Sequence, residues 1–191
     1  MNAFVRAKAV LVDPAAAWRG IEKDIGDPAY LLSRYVAVLA LIPALSSFVG
    51  ATLIGVVTPS GVVRADLIDG LFGAVFSYAT SCAIVLLLGL IIDLLAPLFG
   101  GRRDFEDAFK LAVYSFTPLW LAGIFLLLPG LRFLLLTGAY GVYLFWLGAP
   151  RLTKVPEQQA ANFTAVGVVC ACGLLYAAAL AQRMLFGTPG L

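Results

Sequence analysis

Few residues in this chain have the types and spacing that bond-making chemistry needs. There is no histidine, so the usual base for a serine or cysteine nucleophile is missing. Cys82, Cys170 and Cys172 lack both a disulfide framework and metal-ligand partners, and they read as small apolar packing residues. The carboxylate of most interest is Asp93, which ends a charge-free run from Gly70 to Ile92. Standing alone, it cannot share a proton with a second carboxylate as aspartyl catalysis requires. At membrane depth it could bind or relay a cation. Its place near a helix end favours instead an interfacial carboxylate that pairs with Arg102, Arg103 or Lys110 or stays solvated. The Gly100-Gly101-Arg102-Arg103 loop beyond it lacks the glycine-lysine pattern of a phosphate cradle. No catalytic residue, cofactor or metal site is expected, and no basic domain suggests nucleic acid.

The elements that position these residues follow from composition. Hydrophobic residues make up 62% of the chain and charged ones 13%, against about 25% charged in soluble domains. Charge-free runs cover 35–63, 70–92, 111–131, 133–150 and 158–182. A helix needs about 20 apolar residues to cross a bilayer. The expected fold is therefore an all-α integral membrane protein. Its bundle of five transmembrane helices occupies 30–186, with spans near 35–57, 70–95, 109–128, 132–148 and 160–182. An N-terminal amphipathic, interfacial helical segment (1–29) precedes it, and a short tail (187–191) follows.

Within 1–29, Phe4, Ala7 and Leu11 share one helical face, which suits the headgroup layer. Asp13-Pro14 and Asp27-Pro28 are helix starts, each an N-cap followed by proline at the first helical position. Trp18, Ile21 and Ile25 fall on one face amid charges, so Trp18 is expected to anchor at the membrane interface. The spans carry stripes of small residues that let helices pack closely in lipid. They are Ala40, Ala44, Ser47, Ala51 and Gly55; Gly70, Gly73, Ser77 and Ser81; and Cys170, Gly173, Ala177 and Ala181. Pro43 and Pro118, the latter one turn after Tyr114, are expected to kink their helices. Thr58-Pro59-Ser60-Gly61 reads as a turn, Glu106–Lys110 as a helical ion pair, and Leu147-Gly148-Ala149-Pro150 as a helix stop.

Several of these pieces, in order, resemble the bacterial five-span branch of the Yip1-domain family. They are Pro14-x3-Trp18-x2-Ile21, Ile42-Pro43 with Phe48-x-Gly50 and Gly55, Tyr114-Ser115-x2-Pro118, and Tyr143-x3-Leu147-Gly148-x-Pro150. The resemblance implies a multi-pass inner-membrane protein without assigned enzymatic chemistry. Eukaryotic relatives are associated with membrane traffic and small-GTPase partners. That association is not carried over, because the motif those relatives bear before their first span is missing here.

Two functions fit. One is membrane organisation, by binding lipids, a membrane-protein partner or a second copy of the chain. Trp18, Arg102, Arg103 and Lys110 would then be the contacts, and Ala44, Ser47, Ala51, Gly55, Gly73, Ser77, Gly173 and Ala177 would pack helices. The other is a small ion or lipid transporter or channel using Asp93, with Tyr114, Pro118 and Pro43 along its pathway. Ten of the 13 basic residues fall on one side: Arg6, Lys8, Arg19, Lys23, Arg34, Arg102, Arg103, Lys110, Arg151 and Lys154. Such asymmetry places the N-terminus in the cytoplasm and the C-terminus outside the inner membrane. A reporter that works only outside should therefore be active when fused to the C-terminus and silent when fused to the N-terminus.

Overall fold

The structure, a computed structural model, describes residues 3–24, 27–58 and 61–186. Ile25, Pro59, Ser60 and the 187–191 tail, named in the sequence reading, lie outside the described residues. Among the described residues, five helical stretches are long and apolar enough to cross a membrane. They run Pro28–Ile54, Leu67–Phe99, Phe105–Leu127, Gly130–Leu152 and Glu157–Leu185, and are numbered here as spans one to five in that order. Two shorter helices precede them, α1 (Ala3–Val12) and α2 (Pro14–Lys23).

Aspartates start most of these helices by accepting backbone N–H groups that have no helical partner. Asp13 takes Ala16 N at 3.0 Å, Asp27 takes Ala29 N at 2.9 Å, Asp66 takes Ile68 N at 3.1 Å, and Asp104 takes Asp107 N at 3.3 Å. The second span tightens into a 3-10 turn at Ala96–Phe99 and ends at Gly100, whose φ of 78° favours glycine.

The third span is the core of the bundle. Every residue from Ala108 to Pro118 is buried, so the helix is wrapped on all sides. Spans one, two and four and α1 surround it, whereas the fifth packs against the second and fourth. Interhelical hydrogen bonds reinforce the packing, as with the Trp120 indole donating to Ser81 Oγ at 2.8 Å.

Pro43 and Pro118 both stay inside helical segments. Each lacks the N–H that would reach the carbonyl four residues back. Near Pro43 the first span loosens to a turn at Ala40, and it carries π-helical stretches at Leu32–Val36 and Gly50–Ile54. The helix after Pro118 tightens to 3-10 geometry at Gly123–Leu127, where Gly123 lies directly against Pro43. The two prolines thus sit close to one crossing of spans one and three.

Other expectations need correction. Leu147-Gly148-Ala149-Pro150 does not stop the fourth span. The helix Tyr140–Leu152 runs through Pro150, and Thr153 N closes it on Ala149 O at 3.0 Å. At Thr58 and Gly61 the turn expectation is not among those corrected: these residues pair across two short antiparallel strands, β1 (Val56–Thr58) and β2 (Gly61–Val63). Valines at 56, 57, 62 and 63 suit that pairing.

The small-residue stripes also divide. Ala44 is buried, Ser47 and Ala51 are half-buried, and Gly55 is buried at the end of the first span. Gly73 and Ser77 are half-buried, with Gly73 facing Gln182 of the fifth span. Gly173 and Ala177 are exposed, and a side chain added at Gly173 would meet no described atom within 4 Å. These two do not pack inside the bundle, because the fifth span turns that face outward.

Candidate functional site

The polar side chains converge at the end of the bundle covered by α1 and α2. On α2, Trp18 and Ile21 share the buried face. Trp18 has no exposed surface, and its ring meets Tyr114 edge-on at 6.1 Å between centroids. It fits because Gly148 of the fourth span has no side chain; a Cβ there would lie 2.7 Å from the indole. The expected interface anchor is therefore a core residue, which corrects its assignment as a headgroup contact. The mixed charges around α2 lie on its other faces and hid this role. On α1, the buried positions are Ala3, Ala7 and Val10, while Phe4 is exposed and Leu11 half-buried. The face that docks is thus rotated from the Phe4–Ala7–Leu11 stripe, since small residues let α1 approach the third span closely.

That rotation turns Arg6 inward. Its guanidinium donates to the Asp24 carboxylate and lies over the Tyr114 ring, 5.5 Å from the centroid. Burial opposes the charge of Arg6, but Asp24 and Tyr114 outweigh it and hold its pKa above the usual value. Lys110 is only 6% exposed, and its ammonium donates to Asp24 O at 2.8 Å and Asp107 Oδ1 at 2.9 Å. Glu106, its expected partner, is exposed instead. Lys110 points inward to α2, where Asp24 supplies a carbonyl. Tyr114 also packs against Tyr35 of the first span at 5.0 Å, and Tyr35 shares a 2.8 Å hydrogen bond with Thr117.

A cavity of about 630 Å³ opens between these elements. Tyr35, Lys110 and Tyr114 form its buried part, and the exposed Asp27, Tyr30 and Arg34 form its rim. Arg6 and Asp24 close it from the N-terminal helices.

Asp93 occupies a separate place at the same end. It is 4% exposed, and Arg103 Nε donates to its Oδ2 at 3.0 Å. Its Oδ1 is buried and has no hydrogen-bond partner among the described residues. Arg103 itself is exposed, as is Arg102, which bonds Asp104 Oδ2 at 2.7 Å. The Arg102 backbone N–H donates to Thr153 O at 2.8 Å, tying this loop to the end of the fourth span. Lys154 in turn bonds Glu22 at 2.5 Å and holds that carboxyl below its usual pKa, fastening α2 from the other side.

Of the residues singled out from sequence, Trp18, Lys110 and Tyr114 come together, while Asp93 and Arg103 form their own pair. Pro43 and Pro118 contribute to neither. Arg6, Asp24, Arg34 and Tyr35 were missed. One signal was available: Arg34 is the sole charged residue between Asp27 and Arg64.

A family model described as the Yip1 domain matches residues 8–180. The chain belongs to the Yip1-domain family. It is accordingly a multi-pass membrane protein with five spans. Among curated relatives it is similar to the inner membrane protein YohC of Escherichia coli K12 and of the O6:H1 strain. Each is 29% identical over 146 residues, covering 72% of this chain and 75% of the relative. No solved structure gives a significant match. The Yip1 match begins after Arg6, so the cation over Tyr114 lies just outside the matched segment.

If the N-terminal helices are fastened as described, two substitutions should differ in effect. Trp18→Ala should cost about 3 kcal/mol or more by emptying a fully packed site. It should also speed trypsin cleavage after Arg19 and Lys23, which are exposed but held in the docked helix. Tyr35→Phe, which loses one buried hydrogen bond, should cost about 1 kcal/mol and leave the trypsin pattern unchanged. Thermal unfolding in mild detergent and timed proteolysis check both.

Proposed function

We propose that this Yip1-domain protein is a non-enzymatic inner-membrane protein that organises its surroundings by binding lipid or a membrane partner. In this proposal the end bearing α1 and α2 faces the cytoplasm, as the distribution of basic residues favours. The observation that carries it is the cavity built from Lys110, Tyr114, Tyr35 and Arg34 beneath the N-terminal helices. Charged and aromatic groups at the end of a span, on elements locked by buried contacts, suit recognition more than passage. Arg102 and Arg103, exposed in a separate place at the same end of the bundle, present further cationic groups toward anionic headgroups.

A transporter or channel is the second reading, favoured by the partnerless Oδ1 of Asp93. Against it, Arg103 already neutralises this carboxylate, close to the end of its helix at Leu95. Reconstitution in liposomes separates the two. The proposal expects no proton, cation or lipid flux above empty vesicles, together with crosslinked lipid or protein partners recovered from native membranes. Flux that disappears in Asp93→Asn, with the fold intact, would replace it with the transport reading.

A further inference from the structure

We infer that the cavity beneath α1 and α2 seats the phosphodiester of a membrane glycerophospholipid, held by Lys110 within and Arg34 at the rim. This rests on the lipid-binding form of the function proposed above and names its ligand.

The position comes first. Lys110 stands five residues into the helix that starts at Phe105, about 7–8 Å along its axis. Tyr30 and Arg34 lie in the first two turns after Pro28. All three are thus at the depth where hydrocarbon gives way to headgroups, and tyrosine is a usual residue of that layer. Tyr30 is 58% exposed and Arg34 is also exposed, on the outward side of the first span where acyl chains would lie. A soluble phosphate would make no use of the exposed Tyr30–Arg34 side of the first span, whereas the chains of a lipid would lie along it.

The charges come second. Around the cavity Arg6, Arg34 and Lys110 are matched in number by Asp24 and Asp27 of the lining and by Asp107, which pairs with Lys110. The single negative charge of a phosphodiester would therefore draw on the cation that no carboxylate contacts. Arg6 is paired with Asp24, and one Asp27 oxygen accepts from Ala29 N. Arg34 has no ion pair among the described residues. The buried Lys110 ammonium has three N–H groups, of which two reach Asp24 O and Asp107. Its remaining donor and the free Arg34 guanidinium are the groups that a phosphate would satisfy, in charge-assisted hydrogen bonds.

The test uses the full chain, purified, delipidated and held in mild detergent. It is titrated calorimetrically with short-chain phosphatidylglycerol, with the matching diacylglycerol and with glycerol phosphate. Phosphatidylglycerol should bind with one-to-one stoichiometry, and the other two at least about tenfold more weakly. Arg34→Gln alters an exposed residue and should fold normally, yet it should weaken phosphatidylglycerol about tenfold. Arg183→Gln, at the opposite end of the bundle, should change nothing. Unaltered affinity in Arg34→Gln would overturn the site. Equal binding of glycerol phosphate would assign the cavity to a soluble phosphate, and equal binding of diacylglycerol would remove any role for the phosphate. Each of these outcomes refutes the lipid seat but not the organiser reading, which is tested separately by flux and by partner crosslinking.

Discussion

A lysine ammonium buried at the start of the central helix has to be matched by fixed partners. An unpaired charge in such surroundings would cost several kcal/mol. Lys110 meets this demand with Asp107 from its own helix and the Asp24 carbonyl from the N-terminal segment. The second bond makes that segment part of the fold. Because Asp24 must stay over the third span, α2 is held with Trp18 against Tyr114 and Gly148. Asp24 also receives Arg6, which brings α1 down onto the same helix. The cavity is what remains between these anchored helices and the first span.

The third span can play this part because it is enclosed along most of its length. Membrane helices gain nothing from hiding apolar surface from lipid, so close fit and hydrogen bonds must decide which helix goes in the middle. Gly89 of the second span and Gly141 of the fourth both pack against it, at Phe109 and Ser115. Trp120 bonds Ser81 across the same interface, and Tyr35 bonds Thr117 from the first span. The fifth span takes less part in this enclosure and leaves Val169, Tyr176 and Met184 exposed.

The spans were legible because lipid imposes a length and a composition that few other structures share. Asp27-Pro28 likewise announced its helix through capping chemistry that is local. What stayed hidden is which side of each element is buried. Apolar residues face lipid and protein alike, so the second span is apolar around its whole circumference and its sequence does not mark the packed face. The same ambiguity made Gly173 and Ala177 look like packing residues although they are exposed. Trp18 was misplaced because a tryptophan among charges is typical of the interface, and the space for it comes from Gly148, 130 positions away in the chain. Lys110 was assigned to Glu106 by local spacing, whereas its long-range partner at Asp24 decides its direction.

Residues 3–23 are a docked part of the bundle, held through Lys110, Arg6 and Trp18. Hydrogen exchange of this segment in lipid nanodiscs tests that docking most directly, with Lys110→Met measured beside the native chain. The amides of α1 and α2 should exchange far more slowly than those of the same peptide free in solution, and Lys110→Met should lose much of that protection while the five spans keep theirs. Exchange at the free-peptide rate in the native chain would contradict the account, because the N-terminal helices would then be an unattached tail.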